Sequence, residues 1–147
     1  MLVIIANILE QKYKVQKTIF NNNNNIGVPI TIFSTNEKHQ VLILEHGTNH
    51  FGEIPYTANI AQPDLSLITN IGPAHLEFFK TTTGVAKEKS ALFDAADNRN
   101  GKILINTDDP ILRKYIPKYK NVITYGFNGK PSIKGKISGW LPDGRIK

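Results

Sequence analysis

The chain has 147 residues, 40% hydrophobic and 20% charged, which suits one soluble globular domain with a core of its own. The absence of cysteine excludes a disulfide framework and a thiolate metal site, and is compatible with a reducing cytoplasm. The net charge of +6 is uneven, with 7 Lys+Arg and 9 Asp+Glu in residues 1–98 against 11 and 3 in residues 99–147. A basic half reads first as solvated surface and second as attraction for an anionic small substrate; no aromatic-interleaved basic motif favours nucleic acid.

MLVIIANIL opens the chain without a basic flank or a small-residue cleavage site and is too short to span a bilayer, so residues 1–12 are expected to form a buried helix. Lys14–Thr18 reads as a short strand. The five asparagines at 21–25 form the only low-complexity segment and, on composition alone, read as a disordered loop. Ile26–Ser34 can start a helix, with Pro29 tolerated in its first turn. Val41–Glu45 is a strand with both faces apolar, as in a parallel sheet. Gly52–Ala61 is a helix, broken by Gln62-Pro63-Asp64, and Leu65–Thr69 is a second buried strand. Thr83–Ala96 is the clearest helix, with Thr83 as its predicted N-cap. Lys102–Asn106 and Val122–Tyr125 are strands on either side of a short helix, Asp109–Tyr115. From Pro131 the chain alternates, and Pro142-Asp143-Gly144 is a turn signal, so residues 131–147 are expected to form a β-hairpin outside the main sheet. Strand–helix alternation argues for an α/β fold with a mostly parallel sheet flanked by helices.

In a parallel sheet, ligands bind beyond the carboxyl ends of the strands. Glu45 ends its strand, and Thr69, Asn70 and His75 end or follow theirs. If the two strands are parallel, the residues share one rim. A carboxylate and an imidazole there can hold Mg²⁺ or Mn²⁺; each also reads as an ordinary strand-end cap or loop histidine. Lys89 has Val85, Ala86, Leu92 and Phe93 at i±3 and i±4, an apolar face, whereas Lys87 lies on a more open one. Burial disfavours an ammonium, and a neutral amine can take up CO₂ as a carbamate with the oxygens of a metal-binding carboxylate; a lysine snorkelling from the edge of the stripe is the plainer reading. His50 and Glu53 are further possible ligands, with Glu53 equally explained by a helix start. Asp109, before Pro110, reads first as a helix cap and second as a nucleotide contact.

NNNNNIGVPIT, LILEHGTNHFGEI, AQPDLSLITNIGPAHLEFF, GVAKEKSALF and ILINTDDP together resemble the central, ATP-binding domain of the Mur ligases, from about Ile8 to Gly126. The resemblance implies a P-loop NTPase-like domain, with residues 1–130 a truncated central domain and 131–147 its continuation. It implies an ATP-dependent amide-bond ligase of bacterial peptidoglycan synthesis in the cytoplasm, with ATP as co-substrate, Mg²⁺ or Mn²⁺ as cofactor, and UDP-N-acetylmuramoyl-peptide and D-alanyl-D-alanine as substrates. Glu45 and His75 resemble the family's metal-binding glutamate and histidine, and Lys89 its carbamylated, metal-binding lysine; His75 and Lys89 are the catalytic candidates. Asn23, Asn24, Thr69 and Asn70 are placed with the substrate and Asn106 with the nucleotide. Partners expected on this basis are the family's N- and C-terminal domains, with no nucleic acid and no membrane insertion.

The sequence departs from the pattern in several places. The family's phosphate loop, a glycine-rich turn ending Gly-Lys-Thr or Gly-Lys-Ser, has no counterpart in the 147 residues, so the chain alone is expected to bind ATP weakly and not turn it over. Phe20 stands where glycine is usual, Asn25 where an acidic residue is common, and His46 where methionine is common. A non-catalytic homologue that binds an anionic ligand or a partner, another Mur-type ligase, and a folate- or cyanophycin-type relative remain open alternatives.

Overall fold

A computed structural model describes residues 1–141 of the chain. The elements run α1 (Leu2–Leu9), β1 (Val15–Lys17), α2 (Gly27–Phe33), β2 (Val41–Ile43), α3 (Glu53–Ala61), β3 (Leu65–Ile68), α4 (Leu76–Phe79), α5 (Thr82–Asp97) and β4 (Lys102–Asn106). A 3-10 helix (Leu112–Lys118), β5 (Val122–Gly126) and β6 (Ile133–Lys134) follow.

Every strand pairing is parallel, as the unbroken apolar runs predict, but the strands form two sheets, not one. Among the described residues β1 pairs only with β2, and β3, β4, β5 and β6 form the larger sheet in that order. No ladder joins β2 to β3 among the described residues. The core belongs to the larger sheet. Ile68, Ile103 and Ile105 pack against Phe79, Val85, Phe93 and Ala96, and Phe93 takes Tyr115 and Tyr119 edge-on, with ring centroids 6.4 and 5.7 Å away. β2 is only half-buried, shorter than its apolar run, and leaves Leu44 and Glu45 in the loop beyond it.

Three expectations need correction. The first helix is not buried: Ala6 is its one buried residue, while Met1, Val3, Ile4 and Ile8 are exposed, because among the described residues only β1 packs closely on it. The N-cap of α5 is Thr81, not Thr83. Thr81 has extended backbone (φ −142°, ψ 160°) and its hydroxyl accepts the Gly84 amide at 3.0 Å, which starts the helix at Thr82. Gly84 is required there, since a Cβ would collide with the carbonyl of Phe79 at the end of α4. Finally, the tail does not stand outside the sheet. Ile133–Lys134 adds to β5 in parallel, with Tyr125 opposite Ile133. The Pro142-Asp143-Gly144 turn lies outside the described residues.

Candidate functional site

The carboxyl ends of β2 and β3 carry most of the predicted residues, each on a loop fixed by side-chain hydrogen bonds. After β2, the Glu45 amide donates to the buried Thr18 hydroxyl (2.9 Å), which ties the start of the loop back to β1. The asparagine run is ordered by the same loop. Asn23 O accepts the Gly47 amide at 2.7 Å, and Asn23 Nδ2 lies 3.5 Å from Glu45 Oε1. Gly47 lets this approach happen: a Cβ would come within 2.8 Å of the Asn23 side chain. Asn24 faces the other way, its Oδ1 accepting the Ile26 and Gly27 amides (3.0 and 2.8 Å) at the start of α2. Composition alone misread this run, because the asparagines act as acceptors for orphan amides at the end of one element and the start of the next.

Further along, Glu53 closes the 48–53 turn. Its Oε2 accepts the Asn49 and His50 amides (2.6 and 3.0 Å) and the Thr48 hydroxyl (3.2 Å). These bonds, the Asn49 amide first, hold its carboxyl below the ordinary 4.5. Glu53 is thus a loop-closing carboxylate. His46, next to Glu45, has its Nδ1 2.9 Å from the Thr57 hydroxyl on α3, and burial pushes its imidazole down to about 4, leaving it neutral near pH 7. Its part in the site was not anticipated from the sequence.

Glu88 was also passed over. It sits between Lys87 and Lys89 and is only 3% exposed. Oε2 accepts the Gly52 amide at 2.9 Å and Oε1 the Ile54 amide at 2.8 Å, so α5 caps the start of α3. A carboxylate at the positive end of a helix is stabilised there. The signal was available: Gly84, Val85, Ala91 and Leu92 surround Glu88 at helical spacing, the same test applied to Lys89.

After β3, the loop is held from β4. Asn106 Nδ2 donates to Thr69 O (3.0 Å) and its Oδ1 accepts the Asp108 amide (2.9 Å). Asp109 is buried; its Oδ2 accepts the Ile71 amide (2.7 Å) and its Oδ1 the Ile111 and Leu112 amides (2.8 and 2.9 Å), the cap expected of it plus a tie to the neighbouring loop. The Thr69 hydroxyl donates to Asn70 Oδ1 at 3.2 Å. His75 then ends the loop in the left-handed region (φ 51°, ψ 39°), an uncommon backbone for a non-glycine residue at the start of α4.

The two loops meet. Phe51 packs edge-on against Phe79 (4.9 Å), and the His50 ring lies 4.1 Å from Phe78. Between them is a cavity of about 180 Å³ lined by His46, Gly47 and Thr48 from the β2 side, Ala74, His75 and Phe79 from the β3 side, and Val85 and Lys89 from α5. His75 and Lys89 are therefore brought together. Glu45 is exposed beside the asparagine loop and does not line the cavity, and neither do Asn23, Asn24, Thr69, Asn70 or Asn106. Among the described residues no three His, Asp or Glu side chains cluster as a metal cage. A divalent cation bound there would take most of its shell from water and phosphate oxygens, the habit of Mg²⁺ at phosphoryl-transfer sites.

Residues 2–139 match the family described as Mur ligase middle domain. The chain is 41% identical over 116 residues (79% of the chain, 25% of the relative) to a UDP-N-acetylmuramoyl-tripeptide–D-alanyl-D-alanine ligase of Buchnera aphidicola. It is 38% identical over 104 residues (71% and 23%) to the ligase of that name from Escherichia coli. Among solved structures it resembles MurF from Acinetobacter baumannii (TM-score 0.79, 30% identity, 87% of this chain and 28% of that one). It also resembles MurF ligase from Thermotoga maritima in complex with ADP (TM-score 0.78, 34% identity, 86% and 29%). The chain spans about a quarter of the length of the curated relatives it matches.

Proposed function

The chain belongs to the Mur ligase family, as a middle domain, and on that premise we propose that it forms part of an ATP-dependent ligase joining D-alanyl-D-alanine to UDP-N-acetylmuramoyl-tripeptide in bacterial peptidoglycan synthesis, in the cytoplasm. The observation that carries the reading is the shared cavity: His75 and Lys89, from different elements, line it together with the loop that follows β2.

In such a ligase the tripeptide carboxylate takes the γ-phosphoryl group of ATP, ADP leaves, the amine attacks the acyl carbon, and phosphate departs. Mg²⁺, when bound, supplies charge neutralisation at the phosphate oxygens. The chain's own residues supply placement. His75 offers an imidazole nitrogen at the cavity edge, and Glu45 a carboxylate with one oxygen unengaged by any described residue. Lys89 offers either a cation for a phosphate or, as a carbamate, two further oxygens. Asn23 lies against Glu45 and Gly47, where the asparagine loop can follow the substrate, and Asn106 and Asp109 keep Thr69, Asn70 and the chain leading to His75 in position.

Calorimetric binding of UDP-N-acetylmuramoyl-tripeptide to the chain tests the reading. Binding strengthened by Mg²⁺, with the strengthening lost in His75→Ala, is the expected result. Binding indifferent to both Mg²⁺ and this substitution would overturn it. A ¹³C carbamate resonance at Lys89 in labelled bicarbonate, absent in Lys89→Arg, checks the modification separately.

A further inference from the structure

The cavity wall made by Gly47 and Thr48 is part of a loop in which every residue from Gly47 to Ile54 is engaged. The Gly47 amide donates to the Asn23 carbonyl at 2.7 Å. The Thr48 hydroxyl and the Asn49 and His50 amides donate to Glu53 Oε2. Phe51 packs edge-on against Phe79, which lines the cavity from the other side. The Gly52 and Ile54 amides, one on each side of Glu53, donate to the two oxygens of Glu88 at 2.9 and 2.8 Å. Glu88 thus anchors the series on α5. Its neighbour Lys89, turned by about 100° around the helix, lines the cavity itself.

A helix start is ordinarily capped by a neutral side chain of its own N-cap residue. Gly52, the N-cap of α3, has none to offer, and the acceptor comes from 34 and 36 residues further along the chain. Burying a carboxylate is costly unless its acceptors are filled, and Glu88, 3% exposed, has both oxygens filled by this one loop. Capping α3 and fastening the loop to α5 are therefore a single act. We propose that Glu88 is a positioning residue of the ligand site: it fixes the wall that carries Gly47 and Thr48 against the helix that carries Lys89, and through Gly47 it holds the asparagine loop in place. The proposal rests on the reading of this cavity as the ligase's ligand site. A wall held before the ligand arrives need not be ordered at the expense of affinity.

Two measurements on the intact chain test it: hydrogen exchange without ligand, and calorimetry with UDP-N-acetylmuramoyl-tripeptide and Mg²⁺. In Glu88→Ala, exchange at Gly47 and Asn49 is expected to rise about tenfold over that of the β4 amides, and substrate affinity to fall about tenfold. Glu88→Gln, which keeps one acceptor, should recover part of both, and it carries the comparison if the alanine variant does not fold. Ile103→Ala, a truncation in the core of the larger sheet, supplies a purely structural loss and should change neither quantity. Faster exchange confined to Gly52 and Ile54 would make Glu88 a helix cap alone and overturn the proposal, as would full substrate affinity in Glu88→Ala or an equal loss in Ile103→Ala. Absence of substrate binding by the unmodified chain would overturn the reading of the cavity, while exchange at Gly47 would still decide whether Glu88 holds the loop.

Discussion

Phe20 shows how one side chain records a constraint that the backbone imposes. The Mur pattern favours glycine there, and the chain keeps the conformation glycine would serve: Phe20 has φ 54° and is 93% exposed. A left-handed backbone costs an L-residue roughly 1–2 kcal/mol, and an exposed ring offers little packing in return. Phe20→Gly is expected to stabilise the chain by about 1 kcal/mol, read as a higher urea midpoint, with part of the gain cancelled by glycine's freedom in the unfolded state. Glu53 predicts a pH dependence. Its folded pKa lies below 4.5, chiefly through the Asn49 amide. The contribution is present above the unfolded value and fades as pH falls through the folded one. Glu53→Gln should therefore narrow its stability deficit, relative to the unmodified chain, as pH is lowered from 6 to 3; a deficit that stays constant would show that the carboxylate's charge is not involved. Exposure to solvent keeps this effect small.

At the scale of elements, what was legible followed local rules. β3, β4 and β5 declared themselves as apolar runs between breakers, and α5 through its periodic apolar face. The pattern pointed to Thr83 as the cap of α5, and the cap is Thr81 because its hydroxyl is the one that accepts the Gly84 amide. Thr81→Ala should cost about 1 kcal/mol in chemical denaturation, with Thr83→Ala near neutral; equal costs would contradict the assignment. The strand at 133–134 pairs in parallel with β5 only eight residues earlier, Tyr125 opposite Ile133, and a parallel pair leaves no hairpin turn signal to read. Glu88 ties α5 to the start of α3 through two backbone amides. Truncation to alanine strands two amides at the start of α3 and should cost about 3 kcal/mol, with faster hydrogen exchange at Gly52 and Ile54; Glu88→Gln keeps one acceptor and should recover about half. Of the expected trio, His75 and Lys89 line one cavity and Glu45 lies outside it, while His46 and Glu88 needed α3 in place before their partners existed.

Among the described residues the molecule is two parallel sheets and a set of uncovered apolar side chains, and β2 and β3 each lack a partner on one side. Ile26, Ile30 and Phe33 form an exposed stripe on α2, and Val3, Ile4 and Ile8 another on α1. Free edges and apolar patches of this kind promote association. Sedimentation of the 147-residue chain should show a weight-average mass that rises with concentration; a strictly monomeric profile would mean that these surfaces do not pair. No phosphate loop occurs in these 147 residues, so the isolated chain is expected to give no ATP-dependent ligation, as measured by phosphate release in the presence of both substrates.

The gap between the ladders has a mechanical consequence. Within a continuous sheet, neighbouring strand ends keep a fixed separation because backbone hydrogen bonds hold it. Here the two lips of the cavity grow from different ladders and are braced by a buried carboxylate, a pair of aromatic contacts and the packing of α3 on α5. Its aperture can therefore breathe by small sliding of one block against the other, without breaking a rung of either ladder.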